Sequence, residues 1–246
     1  MSVRHAGARG FSLGPATARG NGYYGPAVLA DSPVVYIGLD ETSGTVAADS
    51  SGNANDFAYQ ANVGLGQTDL TTYGGYSVAC PTTTNQLALM VPGPAAMIGA
   101  TSWTLECLVN LADATVHGAL MGVGSFQASN DGFGLGVGQN GWSSAGNMLV
   151  GLAAGTAYMS SGINIGTGRH HLAIARDGAG WYFYIDGTWV KTLAATNYTA
   201  PTSRLWIGGE GTSAYPASST LIDAAAFYAT ALSAAAIASH AVAAGL

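Results

Sequence analysis

Cleaving a glycosidic bond takes two carboxylates facing one cleft, and this chain has few to offer. Its three glutamates, Glu41, Glu106 and Glu210, are far apart. Glu106 sits in an apolar run with Leu108 two residues on, and reads as a satisfied strand-edge carboxylate. No Gly-x-Ser-x-Gly elbow presents a nucleophilic serine. From Gly132 to Gly138 glycine recurs at every second residue, with no lysine and no helix to follow. That is a strand with one bare face rather than a phosphate loop. Sheet-on-sheet packing is the plain use of such a face, and close approach of a ligand is the other. His170 and His171 are adjacent, so their rings leave a strand on opposite faces and suit a shared metal poorly. Cys80 and Cys107 lie in apolar, strand-like surroundings and read as buried free thiols rather than a bridge. No Cys/His cluster has zinc spacing, and no metal is assigned.

The elements that must position these residues are strands. The chain has 246 residues, 48% of them hydrophobic, which fits one domain with an ample core. Charged residues are only 8%, against about 25% in ordinary domains. A chain so poor in Lys, Glu and Arg lacks surface helix formers, so a helical bundle is excluded and an all-β protein is expected. Residues 1–33 read as an extended N-terminal arm, with a short helical turn between Pro26 and Pro33. From Val34 short β-branched and aromatic runs recur between Gly, Asn, Asp and Pro clusters. They predict strands over 34–39, 76–79, 87–91, 103–111, 119–124, 133–137, 148–152, 171–176, 181–185, 188–192, 205–207 and 221–228. Asp186-Gly187 between two such runs predicts a type I′ hairpin, with Trp181, Phe183 and Ile185 facing a core. Ser233 caps a short C-terminal helix ending at Gly245, with Ile237 and Val242 as its larger apolar contacts. The uncharged run from Ala224 to Leu246 therefore reads as a buried strand and a packed helix, not a membrane span.

Charge is unevenly placed. Arg4, Arg9 and Arg19 lie in the first 19 residues, where there is no acid. The remainder carries four basic and thirteen acidic groups, a balance of −9. Such a body does not bind nucleic acid, which needs clustered Lys and Arg. The arm suits an acidic partner, or is a free tail. The first twenty residues hold no apolar stretch of a secretory signal.

Several segments resemble a known family in the right order. Tyr36-Ile37-Gly38-Leu39-Asp40-Glu41-Thr42-Ser43-Gly44, then Asp49-Ser50-Ser51-Gly52-Asn53, is similar to the opening of the laminin-G-like, concanavalin-A-like jelly rolls, with Ile37 in place of a tryptophan. Trp103 to Val109 resembles the next landmark. Arg169-His170-His171-Leu172-Ala173, Arg176-Asp177-Gly178 and Tyr184-Ile185-Asp186-Gly187 resemble the central hairpin, although Arg169 stands where tryptophan is usual. Leu205-Trp206-Ile207-Gly208-Gly209 matches a fourth landmark. Leu221 to Tyr228, followed by Ala231-Leu232-Ser233 and the helix, resembles the ending. The resemblance covers about residues 34–246. It implies an all-β, two-sheet antiparallel jelly-roll sandwich with a short C-terminal helix behind the arm.

The fold alone does not decide function. Many relatives hold calcium, and Asp40, Asp49, Asn53, Asn55 and Asp56 have oxygens to offer it. Asp49-Ser-Ser-Gly-Asn53 is equally what a tight turn wants, so no cofactor is assigned. Glycan binding would use aromatic and planar polar groups on loops, and Asn130, Asp131, Trp142, Tyr158 and Tyr215 are the candidates. Relatives occur in tailed-phage structural proteins, often behind an arm resembling Gly22-Tyr23-Tyr24-Gly25-Pro26-Ala27-Val28-Leu29-Ala30-Asp31-Ser32-Pro33. The expectation is thus a non-enzymatic virion surface protein: a capsid decoration, head fibre or tail-associated adhesin. Its arm (Arg4, Arg9, Arg19) would dock on a capsid or tail protein, and its body would touch host-surface polysaccharide. A homo-oligomer or multicopy assembly is expected, with no nucleic acid and no membrane insertion. The alternatives are an extracellular, secreted or cell-surface bacterial carbohydrate-binding module, and a glycoside hydrolase.

Overall fold

The computed structural model describes residues 23–61, 63–72, 74–80, 87–90, 92–125, 130–139, 146–154, 157–209 and 220–246. In chain order these form α1 (Tyr24–Ala30), β1 (Val35–Ile37), β2 (Val46–Ala47), β3 (Phe57–Tyr59), β4 (Gly64–Gln67), β5 (Ser77–Ala79), β6 (Ala88–Met90) and α2 (Ala95–Ile98). Then follow β7 (Trp103–Leu111), β8 (Gly118–Val123), β9 (Phe133–Gly138), β10 (Met148–Ala153), β11 (Ala157–Asn164) and β12 (Gly168–Arg176). The chain closes with β13 (Gly180–Ile185), β14 (Thr188–Ala194), β15 (Leu205–Ile207), β16 (Thr220–Tyr228) and α3 (Ala234–Ala244).

Two antiparallel sheets of eight strands result. One runs β14-β13-β12-β7-β16-β5-β4, with β1 also paired to β16. The other runs β11-β10-β9-β8-β15-β6-β3-β2. Alternation sends Trp103, Leu105, Cys107, Val109 and Leu111 of β7 into the core between the sheets. Phe133, Leu135 and Val137 of β9 meet them from the other side. Trp103 stacks on Phe133 across the gap, with ring centroids 4.1 Å apart and planes at 7°, and Trp181 meets Trp103 edge-on at 4.8 Å. Each such ring contributes about 1.5–3 kcal/mol by leaving water.

The glycines of β9 correct one expectation. Sheet-on-sheet packing uses Phe133, Leu135 and Val137, so Gly134, Gly136 and Gly138 face outward, away from the other sheet. Along that outer face the register sets Leu152 beside Gly134, Gly134 beside Gly122, Gly122 beside Trp206, and Trp206 beside Leu89. A Cβ at Gly122 would collide with the Trp206 indole, so only glycine lets that ring lie down on β8.

The outer face of the other sheet is roofed by α1 and α3. Ala173 and Ala175 on β12 and Ala224 and Ala226 on β16 are short enough for the helices to lie close. Ser233 Oγ accepts from the Ala236 N–H at 3.2 Å, and Gly245 ends α3 at φ 83°. The packed stripe of α3 is Ile237, His240, Ala241 and Ala244. Val242 is a correction: it is 70% exposed, because two further residues turn it well away from His240 at 3.6 residues per turn. Among the described residues no helix is long and apolar enough to cross a membrane.

The hairpin forms as expected, with Asp186 at φ 51° and Gly187 at φ 71°. Strands β2, β3, β4 and β11 escaped the sequence reading. β11 mixes Ser160, Ser161 and Gly162 into its run and carries a register shift against β10, so no alternation announces it. Cys80 and Cys107 are buried free thiols, and burial pushes Cys80 up to about 12.

Candidate functional site

The chemically richest cluster lies beneath the two helices. Alternation along β7 turns Glu106 to the outer face, between His171 of β12 and Tyr228 of β16. Glu106 is 0% exposed and on a central strand, which corrects the strand-edge reading. An isolated apolar run cannot tell a central strand from an edge. The Tyr228 hydroxyl donates to Glu106 Oε1 at 2.7 Å, and His171 Nε2 lies 3.2 Å from Oε2. His240 Nδ1 lies 3.1 Å from Oε2, while its Nε2 lies 3.0 Å from Asp31 at the end of α1. With a carboxylate at each ring nitrogen, the cationic imidazolium is the matching form. Burial opposes that charge, but Glu106 and Asp31 outweigh it and raise the His240 pKa. Burial likewise pushes Glu106 upward, and the hydrogen bonds and charges of His171 and His240 bring it down to about 2. Glu106, His171 and His240 are all wholly buried. Their contacts tie α1 and α3 onto the sheet.

A second acidic group surrounds Asp223. Its buried carboxyl accepts from the Leu70 N–H at 2.7 Å and hydrogen-bonds to Asp69. Burial, and then Asp69 and Asp40, push Asp223 up to about 8. Asp40 is pushed up to about 6, mainly by burial. Two carboxyls in direct contact leave no room for a sugar between them, where glycosidases keep their pair about 5–9.5 Å apart.

The residues considered for calcium are bound up otherwise. Asp49 accepts the N–H groups of Tyr36, Ser51 and Asn55 and the Ser51 hydroxyl. Asp56 accepts the Asp49 N–H, and Asp40 accepts the Tyr76 N–H. The Asn53 and Asn55 amides donate to the Val34 carbonyl. Oxygens already facing N–H donors do not make a cation cage, and this segment is an Asx turn that anchors β1.

The open chemistry lies at one end of the sandwich. The Gly132 N–H donates to Thr199 O at 2.7 Å, and the Thr199 N–H donates to Ala154 O at 3.1 Å. These bonds gather the Asn130–Asp131 turn, the end of β10 and the 197–200 segment. Asn130 is exposed there at φ 49°. Asp131 is a correction: it is buried, and its carboxylate accepts from the Ser125 N–H and the Thr202 hydroxyl, so it braces the turn instead of facing a ligand. Tyr158 stands 48% exposed on β11 beside Leu152. Trp142, Tyr215, Arg4, Arg9 and Arg19 lie outside the described residues.

Two residues at this end were not singled out from sequence. Leu172, Ile174 and Arg176 share the inward face of β12, so Arg176 lies where the inter-sheet core opens. Its guanidinium sits 5.0 Å from the centre of the Tyr198 ring. Tyr198 is fixed in turn: its hydroxyl accepts from Trp103 Nε1 at 3.1 Å and donates to Ala100 O at 2.6 Å. A cavity of about 240 Å³ opens here, lined by Arg176, Tyr198, Asn197, Thr101, Ile98 and the backbone around Gly99. Among the described residues no Asp or Glu lines it. The available signal was a charge at an inward position of an otherwise apolar alternation.

Residues 81–238 match the family model of the concanavalin A-like lectin/glucanases superfamily. Sequence comparison with curated proteins finds no match. Among solved structures, the chain is similar to domain 4 of AbnA, a GH43 extracellular arabinanase from Geobacillus stearothermophilus, in complex with arabinotriose. The TM-score is 0.55 at 18% identity, over 85% of this chain and 98% of that one. Trypanosoma rangeli sialidase in complex with sialic acid matches with a TM-score of 0.57 at 15% identity, over 82% of this chain and 31% of that one. The receptor binding domain of botulinum neurotoxin type G matches with a TM-score of 0.57 at 10% identity, over 86% of this chain and 51% of that one. The chain thus spans about a third of the sialidase chains it matches. At these identities the likeness is one of fold.

Proposed function

The chain belongs to the concanavalin A-like lectin/glucanases superfamily, and from that premise we propose that it is a non-enzymatic, carbohydrate-binding surface protein of a tailed-phage virion. One observation carries the binding half of this reading. The cavity at the open end presents a tyrosine ring, an asparagine, a threonine and an arginine, and among the described residues no carboxylate. Ring and hydrogen-bonding groups without a catalytic pair hold a sugar and do not cut it. The sealing of Glu106 and the direct contact of Asp69 with Asp223 support the same side. A solved relative of similar fold was captured with arabinotriose.

The virion half rests on charge. Arg4, Arg9 and Arg19 precede a body of balance −9, an arrangement that docks an arm on an acidic capsid or tail protein and turns the body outward. Many copies, or a symmetric oligomer, would let weak sugar sites act together. A second reading is favoured by the arabinanase domain, which this fold covers almost end to end: a carbohydrate-binding module of an extracellular bacterial protein.

A glycan array with the full-length protein tests the binding half. Binding lost on Tyr198→Ala is expected, and silence across bacterial and plant glycans overturns it in favour of a purely structural decoration protein. Deleting residues 1–22 tests the arm. Helix α1 begins at Tyr24, so the body stays folded and incorporation into particles is lost; normal incorporation removes the anchoring role.

A further inference from the structure

We propose that the Arg176–Tyr198 cavity is a subsite for the carboxylate of an acidic sugar. This rests on the carbohydrate-binding reading above and names the class of sugar. Arg176 is 9% exposed, so its charge is largely withdrawn from water. A guanidinium carries five N–H donors. Nη1 donates to the Thr101 carbonyl, while Nε is buried with no hydrogen-bond partner. Among the described residues no carboxylate comes within ion-pair distance of it. Asp177, next in the chain, feels the Arg176 charge but makes no hydrogen bond to it: its carboxylate accepts from the N–H groups of Ala179 at 2.7 Å and Gly180 at 3.0 Å, and from the Tyr182 hydroxyl.

A buried charge without a paired carboxylate is costly unless something completes it. The group that completes this one has several properties. It is an anion, because among the described residues the cavity holds a cation and no acid. It is a monoanion, because there is one cation and a phosphate dianion would stay unbalanced. It is planar and bidentate, because the guanidinium fork matches a carboxylate edge. It is carried on something small, because about 240 Å³ is below the roughly 300 Å³ at which drug-sized sites begin. One sugar ring with its acid group meets all four conditions. The site is also built in advance: Trp103 and Ala100 fix Tyr198, and Tyr198 and Thr101 fix Arg176. Little side-chain freedom is left to lose on binding.

The test uses ¹⁵N-labelled full-length protein and the Arg176 Nε–H resonance, titrated at constant ionic strength with sodium glucuronate, glucose, sodium phosphate and sodium chloride. Glucuronate is expected to move the resonance saturably, and at least about tenfold more tightly than glucose. Chloride is expected to leave it in place. Thr101→Glu sets an internal carboxylate beside the guanidinium from an exposed position and retains the backbone carbonyl that Nη1 uses. It is expected to abolish the glucuronate response while the rest of the spectrum stays native. An unmoved Nε–H with glucuronate overturns the proposal. So does a response to phosphate alone, or equal responses to glucuronate and chloride. If the glycan array detects neutral glycans while the Nε–H ignores glucuronate, the carbohydrate-binding reading stands and only the acidic subsite falls.

Discussion

Glu106 and Arg176 lie on the paired strands β7 and β12, both withdrawn from water, one facing the helices and the other the inter-sheet core. Glu106 has a donor at each oxygen: Tyr228 at one and His171 at the other, with His240 close by. Arg176 has one backbone carbonyl, a tyrosine face and an orphan Nε. A saturated buried charge is structure, because nothing can be added to it. An unsaturated one at the rim of a cavity is a binding site, because its missing partner must come from outside. Two roofing helices make the difference. They bring His240 and Asp31 to the first region, while the second is bordered by the 197–200 segment and the turn around Thr101 and keeps an open cavity.

The largest expected contrast is in stability. Glu106→Ala should cost about 3–5 kcal/mol, since it strands a charged His240 in the interior. Arg176→Met removes an incompletely paired charge and should cost about 1 kcal/mol or less. Urea unfolding of both variants checks this, and equal losses would break the comparison.

Next is pH. His240 is raised in the fold, so its contribution is whole below its ordinary value and is lost as pH rises through the raised one. Asp40 at about 6 and Asp223 at about 8 act in the same direction, favouring the fold while protonated. Glu106, lowered to about 2, contributes above its ordinary range and is lost only toward that acid limit. Stability should therefore peak at about pH 4, where the acid-side loss at Glu106 meets the loss at Asp40 and Asp223, and Tm should fall from there toward about pH 8.5. Asp223→Asn should flatten the alkaline side, and a Tm still rising above pH 7 would contradict the assignment.

Smaller still is Asp31→Asn. Its partner His240 is buried, but Asp31 itself is 37% exposed, so solvent screening limits the loss to about 1 kcal/mol. Hydrogen exchange should speed up in α1 before it does in β7. The smallest effect, a gain of about 0.5 kcal/mol, is expected for Thr101→Glu, because it supplies the counter-charge Arg176 lacks. Thermal unfolding at low and high salt checks it, and the gain should shrink with salt.

Much of this was legible in the chain. Trp103–Leu111 and Leu205–Ile207 announce themselves by β-branched and aromatic content, and Asp186-Gly187 by the turn its residues permit. Ser233 and Gly245 mark both ends of α3. These are local matters, decided by backbone preference within a few residues. β11 was missed because its residues are small and polar and its pairing is supplied by β10. Asp131 was misjudged because a carboxylate in a polar turn looks the same whether it faces solvent or Thr202.

Most of the strands, the hairpin, the terminal helix and the shortage of catalytic carboxylates follow from the chain alone, because side-chain period and turn chemistry act at short range. Only the tertiary structure decided which ionisable groups have partners. The contacts of Glu106 with His240 and of His240 with Asp31 span 134 and 209 residues, and Tyr198 reaches Trp103 across 95. The worth of a buried charge depends on what surrounds it in space, and no local pattern in the chain carries that information.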